Sequence, residues 1–242
     1  MQLTQVHGEL PTLVIFCKRP MLNQGKARLA ATIGADSALL IAKQLLNCAL
    51  EDANEWPGHI VLTVSNKEDA EWAETLLTRH FDVLAQNSGN LGERINDIDV
   101  TLRSAGHHSL VFIGTDAPML DSDHYHQTIR ALREHDYVFS RAQDGGVGIM
   151  ANAVPWPNIS TLSWSTSTLG KELADCCLQY SDKNTDKTNS QITYVKSSYD
   201  IDEEVDLTQL YADLRQDKRP ARVALRNIIE DLDCIKEDKR YA

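Results

Sequence analysis

The sequence predicts an α/β fold in which helices cover both faces of a mainly parallel β-sheet. Short apolar runs bounded by turn residues alternate along the chain with segments of helical periodicity. Such alternation is typical of parallel strands joined by crossover helices. At 242 residues and 42% hydrophobic content, the chain can bury a sizeable core. We see no Pro/Gly/Ser-rich linker, and we therefore expect one domain over 1–242, with its core at about 12–215 and a terminal helix and tail over 216–242.

Seven apolar runs are predicted strands, and seven periodic segments are predicted helices. The strands are 12–17, 59–64, 81–85, 109–114, 136–141, 147–152 and 191–196. The helices are 35–54, 67–79, 92–105, 122–134, 167–180, 203–214 and a charged helix near 219–236. The polar stretch "SDKNTDKTNS" (181–190) has no periodicity and is interpreted as a flexible excursion, and "EDKRYA" as a frayed end.

Charge and cysteine content exclude several classes of protein. The net charge of −11 would repel an extended phosphate backbone, so we expect no nucleic-acid partner. The apolar run near the N-terminus is far shorter than the roughly 20 residues of a membrane span, and no basic segment precedes it. An odd number of cysteines without CxxC spacing fits reduced thiols. These features favour a cytoplasmic protein without a membrane span.

Asp116 lies where the predicted strand 109–114 ends, in the stretch "VFIGTDAPML". Pro118 removes a backbone donor and turns the chain away, which places the carboxylate at the carboxyl edge of the sheet. Mg²⁺ is often held by one or two such carboxylates. An Asx turn or a helix cap is an equally simple interpretation, although Asp121 and Ser122 are better placed to cap the next helix.

A second acidic turn, "SYDIDEEVDL" (198–207), follows the last predicted strand. Asp200 and Asp202 point to the same side of an extended segment. Glu203, Glu204 and Asp206 suit the first turn of the following helix, so capping explains some of these acids but does not require all of them.

The loop after the first strand, "CKRPMLNQGKARLA" (17–30), is rich in cations: Lys18, Arg19, Lys26 and Arg28. It is not a P-loop, because Pro20 stands where the first glycine is required and no Ser or Thr follows Lys26. A solvated basic loop is one interpretation. Recognition of a diphosphate beside a metal ion is the other.

The stretch "RAQDGGVGI" (141–149) joins two apolar runs through Asp144, Gly145 and Gly146. A hairpin turn explains the glycines, and so does close approach of a ligand with Asp144 presented to it. The sequence leaves these two interpretations about even. Motifs of esterases, zincins and dinucleotide-binding dehydrogenases are missing.

The ordered set of a basic loop, "LGER", "GTDAP", "DGG", "WST" and "DID" resembles a bacterial family of GT-A-type glycosyltransferases, some of which are linked with arsenosugar biosynthesis. The resemblance covers roughly 12 to 215. It implies the nucleotide-diphospho-sugar transferase fold, with a nucleotide across the first strands and a divalent cation, Mg²⁺ or Mn²⁺, on its phosphates.

The resemblance also implies roles for individual residues. Asp116 and Asp202 match the family's metal-facing aspartates, and Asp144 matches its DGG aspartate, for which we predict the role of acceptor-side base. Donor binding is assigned to the basic loop, to the "LGER" motif and to the DGG glycines, namely Lys18, Lys26, Arg28, Gly92, Arg94, Gly145 and Gly146.

Six motif positions depart from the family's pattern: Asn23, Ala27, Asn90, Gln143, Val147 and Gly148. In the family these positions carry, in the same order, glycine, threonine, aspartate, glutamate and an aromatic pair. We therefore expect binding of the donor diphosphate to be better kept than recognition of the acceptor.

Three functions follow from this reading. The first is metal-assisted glycosyl transfer from a nucleotide sugar to a small-molecule acceptor. The second is a nucleotidyltransferase that joins an NTP to a phosphorylated small molecule and releases pyrophosphate. The third is a nucleotide-binding module that has lost catalysis and is stabilised by its ligand without turnover.

Overall fold

The computed structural model describes residues 10–184 and 192–232, with the side chains of 181–184 left aside. Most of the predicted excursion at 181–190, the tail "EDKRYA" and Cys234 lie outside the described residues. Within the described ranges, no helix is both long and apolar enough to cross a membrane.

Seven strands are described, all in one sheet, and their pairing shows that β6 alone among them runs antiparallel to its neighbours. The strands are β1 (Thr12–Cys17), β2 (Ile60–Val64), β3 (Asp82–Ala85), β4 (Leu110–Ile113), β5 (Tyr137–Ala142), β6 (Val147–Asn152) and β7 (Ile192–Ser198). Their spatial order is β3-β2-β1-β4-β6-β5-β7. The mainly parallel sheet expected from the sequence is confirmed.

Eight helices are described around this sheet: α1 (Ala27–Ile33), α2 (Ala35–Glu55), α3 (Ala70–Ala73), α4 (Leu91–Ser104), α5 (Ser122–Ala131), α6 (Leu169–Asn184), α7 (Glu204–Asp213) and α8 (Pro220–Asp231). Residues of α2, α3 and α5 pack on one face of the sheet, and residues of α4 and α6 pack on the other. In β1, Leu13 and Ile15 face the first layer while Val14 faces the second, as the alternation of side chains along a strand requires. A third apolar cluster joins α1, α2, α7 and α8 at one end.

Three predictions about helices were wrong. The flexible excursion was expected from residue 181, but α6 continues to Asn184, so the excursion's first four residues are helical. The basic loop was expected to run through residue 30, but α1 begins at Ala27. Leu29, on this helix, is fully buried in the third apolar cluster. The segment 67–79 was expected to form one helix, but only a 3₁₀ turn at Lys67–Asp69 and the short α3 form. The following residues bring Arg79 to the carbonyl oxygens of Trp56 and Gly58, so tertiary hydrogen bonds end the helix early.

Candidate functional site

The predicted site residues follow strands that end at the same edge of the sheet. β1, β4, β5 and β7 run in one direction, so their carboxyl ends meet there, together with the turn that leads from β5 into antiparallel β6. Ligands of open α/β sheets bind at this edge. Asp116 follows β4, Asp144 lies in the β5–β6 turn, and Asp202 follows β7.

Lys26 joins the two acidic turns. Its Nζ lies 3.0 Å from Oδ2 of Asp116 and 3.2 Å from Oδ1 of Asp202. The same ammonium group donates to the carbonyl oxygen of Ile201 over 2.6 Å. Its side chain is 9% exposed, whereas the two aspartates are about half exposed, so a nearly buried cation lies beneath two carboxylates that face the solvent.

The backbone holds the two turns in register. The amide of Ile201 donates to the carbonyl oxygen of Asp116 over 3.0 Å, across 85 residues of sequence. Arg28, on α1, donates to Asp202 over 2.7 Å and to Glu203 over 3.0 Å. The basic loop and both acidic turns therefore meet at one place, as expected from the sequence.

Asp116 does not cap the following helix. Asp121 caps α5 and forms a capping box with His124. In the second turn, Asp206 accepts from the amides of Asp202 and Glu203, which leaves the Asp202 carboxylate to Lys26 and Arg28. Local capping thus accounts for Asp121 and Asp206 and leaves Asp116 and Asp202 at the edge.

The β5–β6 turn is a hairpin turn, as one interpretation of its sequence predicts, and it also presents Asp144 to a cavity. It closes an antiparallel hairpin, with the amide of Gly146 donating to Asp144 over 2.9 Å. Gly145 has φ +89° and lies directly against the backbone of Ser167, where a side chain would clash. Asp144 and Gly146 line the same cavity as Asp116.

Asp200, which was not assigned a role, is the most perturbed acid of the group. Burial, together with the neighbouring charges of Asp116 and Asp144, raises its pKa to about 7. Lys26 opposes this shift, and Asp202 adds to it. Negative charge is therefore in excess here, and the Asp200 carboxyl is partly protonated at neutral pH.

A cavity of about 300 Å³ opens above these groups. Apart from the acids and Arg28, its walls come from the ends of β1, β4 and β6, the start of α4, and the loop before α6. The residues from these elements include Phe16, Leu91, Ile95, Phe112, Val147, Met150, Trp164, Ser165, Thr166 and Leu169. Trp164, Ser165 and Thr166, which form the "WST" motif and were assigned no role from the sequence, also line the cavity, and Ser165 has a left-handed backbone with φ +64°.

Lys18 and Arg94 lie in a second, polar cavity, beyond the ends of β1, β2 and β3. Its other described lining residues are Gln24, Ser65, Asn66, Asn87, Ser88 and Gly89. Arg94 donates to the carbonyl oxygen of Gly89 over 2.9 Å, and the hydroxyl of Ser65 is buried without a hydrogen-bond partner. This cavity lies across the first strands, where the resemblance implies a nucleotide.

Gly92 serves helix packing at this position. It is buried in the first turn of α4, and a Cβ there would clash with the carbonyl of Ile159 and the indole of Trp164. The capping box of Asn90 and Glu93 starts the same helix.

Asn23, which stands where the family has glycine, adopts φ +60°, a conformation that asparagine tolerates.

The acids fit a hard divalent cation. The oxygens of Asp116 and Asp202 lie 3.0 and 3.2 Å from the same nitrogen, that of Lys26, and carboxylate oxygens are the ligands that Mg²⁺ and Mn²⁺ favour. Among the described residues, no group of three or more His, Cys, Asp or Glu has the arrangement of a metal site. Two protein carboxylates are sufficient when phosphates and water complete the shell.

Comparisons with known proteins agree with this reading of the fold. Residues 47–166, just under half of the chain, match the model of a family described as "Uncharacterized protein conserved in bacteria (DUF2064)". No curated protein matches the sequence. The crystal structure of a putative nucleotide-diphospho-sugar transferase from Desulfovibrio desulfuricans G20 superposes with a TM-score of 0.79 at 17% identity, covering 95% of this chain and 98% of the other.

A second solved structure is more distant. The 4-diphosphocytidyl-2C-methyl-D-erythritol synthase from Anaerococcus prevotii DSM 20548 superposes with a TM-score of 0.53 at 12% identity, covering 86% of this chain and 99% of the other. At these identities the likeness shows the fold. The nucleotide-diphospho-sugar transferase fold, implied by the motifs, is confirmed.

Proposed function

We propose that this chain, whose fold is that of the nucleotide-diphospho-sugar transferases, transfers a glycosyl group from a nucleotide sugar to a small-molecule acceptor with Mg²⁺ or Mn²⁺. One observation carries the proposal: Lys26 lies between Asp116 and Asp202, so that a cation, two carboxylates and the basic loop occupy one point of the sheet edge. Departure of a nucleoside diphosphate needs this combination of charges.

Asp116 and Asp202 would hold the metal ion. When bound, the ion supplies electrostatic stabilisation to the phosphates of the donor. Lys26 and Arg28 are positioned beside the same carboxylates and would offset the negative charge that grows on the departing diphosphate. Lys18 and Arg94, in the second cavity, would bind the remainder of the nucleotide.

Asp144 is the proposed acceptor-side base. Its turn faces the cavity that Asp116 and Asp202 also line, and its side chain is exposed there. Asp200, with its pKa raised to about 7, is a second candidate for proton transfer, because a group that titrates near neutral pH can both accept and release a proton.

The proposal is tested by incubating the purified protein with a panel of nucleotide sugars and Mn²⁺ and measuring released nucleoside diphosphate. Release is expected for at least one donor, and Asp116→Asn should abolish it. Asp175→Asn, at an exposed position on α6, is the matched control. Absence of both binding and hydrolysis across the panel would contradict the proposal.

Nucleotidyl transfer is the second candidate, and the fold shared with a 4-diphosphocytidyl-2C-methyl-D-erythritol synthase favours its inclusion. Both reactions use the same cation and basic loop. Release of pyrophosphate from an NTP in the presence of a phosphorylated acceptor would identify this reaction, and release of nucleoside diphosphate from a sugar donor would identify the first.

A further inference from the structure

The cavity beside the acidic turns has one apolar wall. Phe16 packs against Phe112 with ring centroids 6.2 Å apart, and Trp164 and Val147 stand at the same cavity. Ile95, Phe112 and Met150 are almost fully buried and belong to the core. Phe16, Val147 and Trp164 are only partly buried, however, and Leu91 is 38% exposed, so part of the wall is open to a ligand.

The charges at the cavity are mostly negative. Asp116, Asp144, Asp200 and Asp202 line it, and Arg28 is the one cation among its described lining residues. That guanidinium is already paired with Asp202 and Glu203. Lys26, beneath the cavity, is likewise shared between two carboxylates. Without a divalent cation, a phosphate group would meet mainly carboxylates here, and the two nearby cations, Lys26 and Arg28, are already paired with them.

We propose that this cavity binds an acceptor with an apolar body and an uncharged or cationic polar group, and that it discriminates against phosphorylated acceptors. The apolar wall would cover the body, while Asp144 would accept a hydrogen bond from the polar group. That the ligand is an acceptor depends on the proposed function. The selectivity for ligand charge depends only on the residues that line the cavity.

Substitution of Val147 can fill part of the cavity while leaving its four aspartates unchanged. Gly146 and Gly148 flank it and have no side chains, so Val147 supplies the side chain at that part of the wall. Gly148 cannot be enlarged, because a Cβ there would clash with the Ser198 hydroxyl. Val147→Phe, by contrast, adds bulk toward the cavity. Val100→Phe, at a position on α4 that is 63% exposed, is the matched control.

The test uses three probes that share one ring and differ in charge: benzylamine, benzyl alcohol and benzyl phosphate. Each is titrated into the full chain at neutral pH, without added divalent cation, and binding is followed by protein-observed NMR. Benzylamine is expected to bind most tightly, benzyl alcohol next, and benzyl phosphate at least about ten-fold more weakly than benzylamine. Val147→Phe should weaken benzylamine by about ten-fold or more, and Val100→Phe should leave it unchanged.

Equal or tighter binding of benzyl phosphate would overturn the proposal, and so would the absence of binding by every probe. Equal behaviour of the two phenylalanine variants would overturn it as well. Binding of nucleoside diphosphates to the same proteins is measured separately by thermal shift. Failure of that binding would count against the proposed function while leaving the charge selectivity intact, so the two can be told apart.

Discussion

Lys26 occupies the position that we propose for a divalent cation. Its ammonium group lies where Asp116 and Asp202 converge, which is also where we propose a divalent cation. A lysine and a metal ion compete for the same carboxylates, but a bound diphosphate offers the lysine an alternative partner. Metal and nucleotide should therefore bind with positive coupling, because each removes the cost of displacing the ammonium group.

Replacement of a metal-facing carboxylate tests the cation site directly. Asp116→Asn should weaken Mn²⁺ binding, measured by calorimetry in the presence of a nucleoside diphosphate, by about ten-fold or more, because a neutral amide replaces one of two charged ligands. Asp175→Asn, on the exposed face of α6, should leave it unchanged. Equal Mn²⁺ affinity in the two variants would place the metal elsewhere.

Asp200 gives a pH-dependent prediction for stability. Its pKa is raised from 3.8 to about 7 in the folded protein, so the folded state holds this proton more tightly than the unfolded state. Stability from this group is thus present at low pH and is lost as the pH rises through about 7. Asp200→Asn should therefore become progressively more stable than the parent between about pH 4 and pH 8, by roughly 4 kcal/mol at the upper end.

Urea unfolding across this pH range measures the difference. Asp175→Asn serves as the control for loss of a carboxylate in general. A stability gain for Asp200→Asn that is the same at both ends of the pH range would show that Asp200 titrates near its ordinary value.

At this scale the sequence identified the acids but not their surroundings. Asp116 and the second acidic turn were found because each follows a strand, and the parallel topology brings such ends together. The choice of Asp202 within that turn came from the family resemblance. The burial of Asp200 could not be read from "DID", since it depends on the β5–β6 turn and on Asp116, which are distant in sequence. Gly92 was assigned to a ligand from its motif, whereas its close contacts come from the loop before α6.

At the scale of elements, the β5–β6 hairpin is fixed against the start of α6. The amide of Gly170 donates to the carbonyl oxygen of Gly145 over 3.0 Å, and Gly145 also lies against the backbone of Ser167. The hairpin therefore carries Asp144 into the cavity on a turn that cannot shift independently of α6.

Two glycines allow the cost of backbone conformation to be measured separately from the cost of close contacts. Gly145 and Gly106 both have positive φ, +89° and +98°, but only Gly145 has close neighbours. Gly106→Ala should cost about 1 kcal/mol of unfolding free energy from backbone strain alone. Gly145→Ala should cost clearly more, about 2–4 kcal/mol, because the backbone of Ser167 must also move. Chemical denaturation measures both, and equal losses would show that the hairpin accommodates the added methyl group.

The element boundaries that the sequence missed have a shared cause. α1 was not predicted, because its sequence is rich in cations and has only one fully buried residue, Leu29. That residue packs in a cluster with residues of α2, α7 and α8, which are distant in sequence or follow later in the chain. The segment 67–79 has helical periodicity, but Arg79 is drawn to carbonyl oxygens at the end of α2 and before β2. Long-range contacts decided both cases, whereas strands with continuous apolar runs, such as β1, were predicted to the residue.

At the scale of the whole molecule, α8 connects the far end of the chain to the candidate site. Arg222 is completely buried and pairs with Asp52 at 2.6 Å and with Glu51 at 2.9 Å, both on α2. It also donates to the carbonyl oxygens of Pro118 and Leu120, in the segment that follows Asp116. The segment that follows Asp116 is thus held by a helix that begins more than 100 residues later.

This network predicts a large loss of stability when its centre is removed. Arg222→Met removes the closest cation from the buried Asp52, which keeps only Arg219 at 3.2 Å, and it also removes the cationic partner of Glu51. Removal of one partner from a buried ion pair costs about 3–5 kcal/mol. Arg226→Met, on the same helix, removes only hydrogen bonds of 3.3 Å to the carbonyl oxygens of Leu214 and Arg215, and should cost less than about 1 kcal/mol. Denaturant unfolding with the double variant Arg222→Met/Asp52→Leu completes the cycle. The double variant should lose less than the sum of its single changes, because the buried carboxylate that Arg222→Met deprives of its closest cation is no longer present. If instead the losses add, or if Arg222→Met behaves like Arg226→Met, the buried arginine does not hold α8, α2 and the segment after Asp116 together.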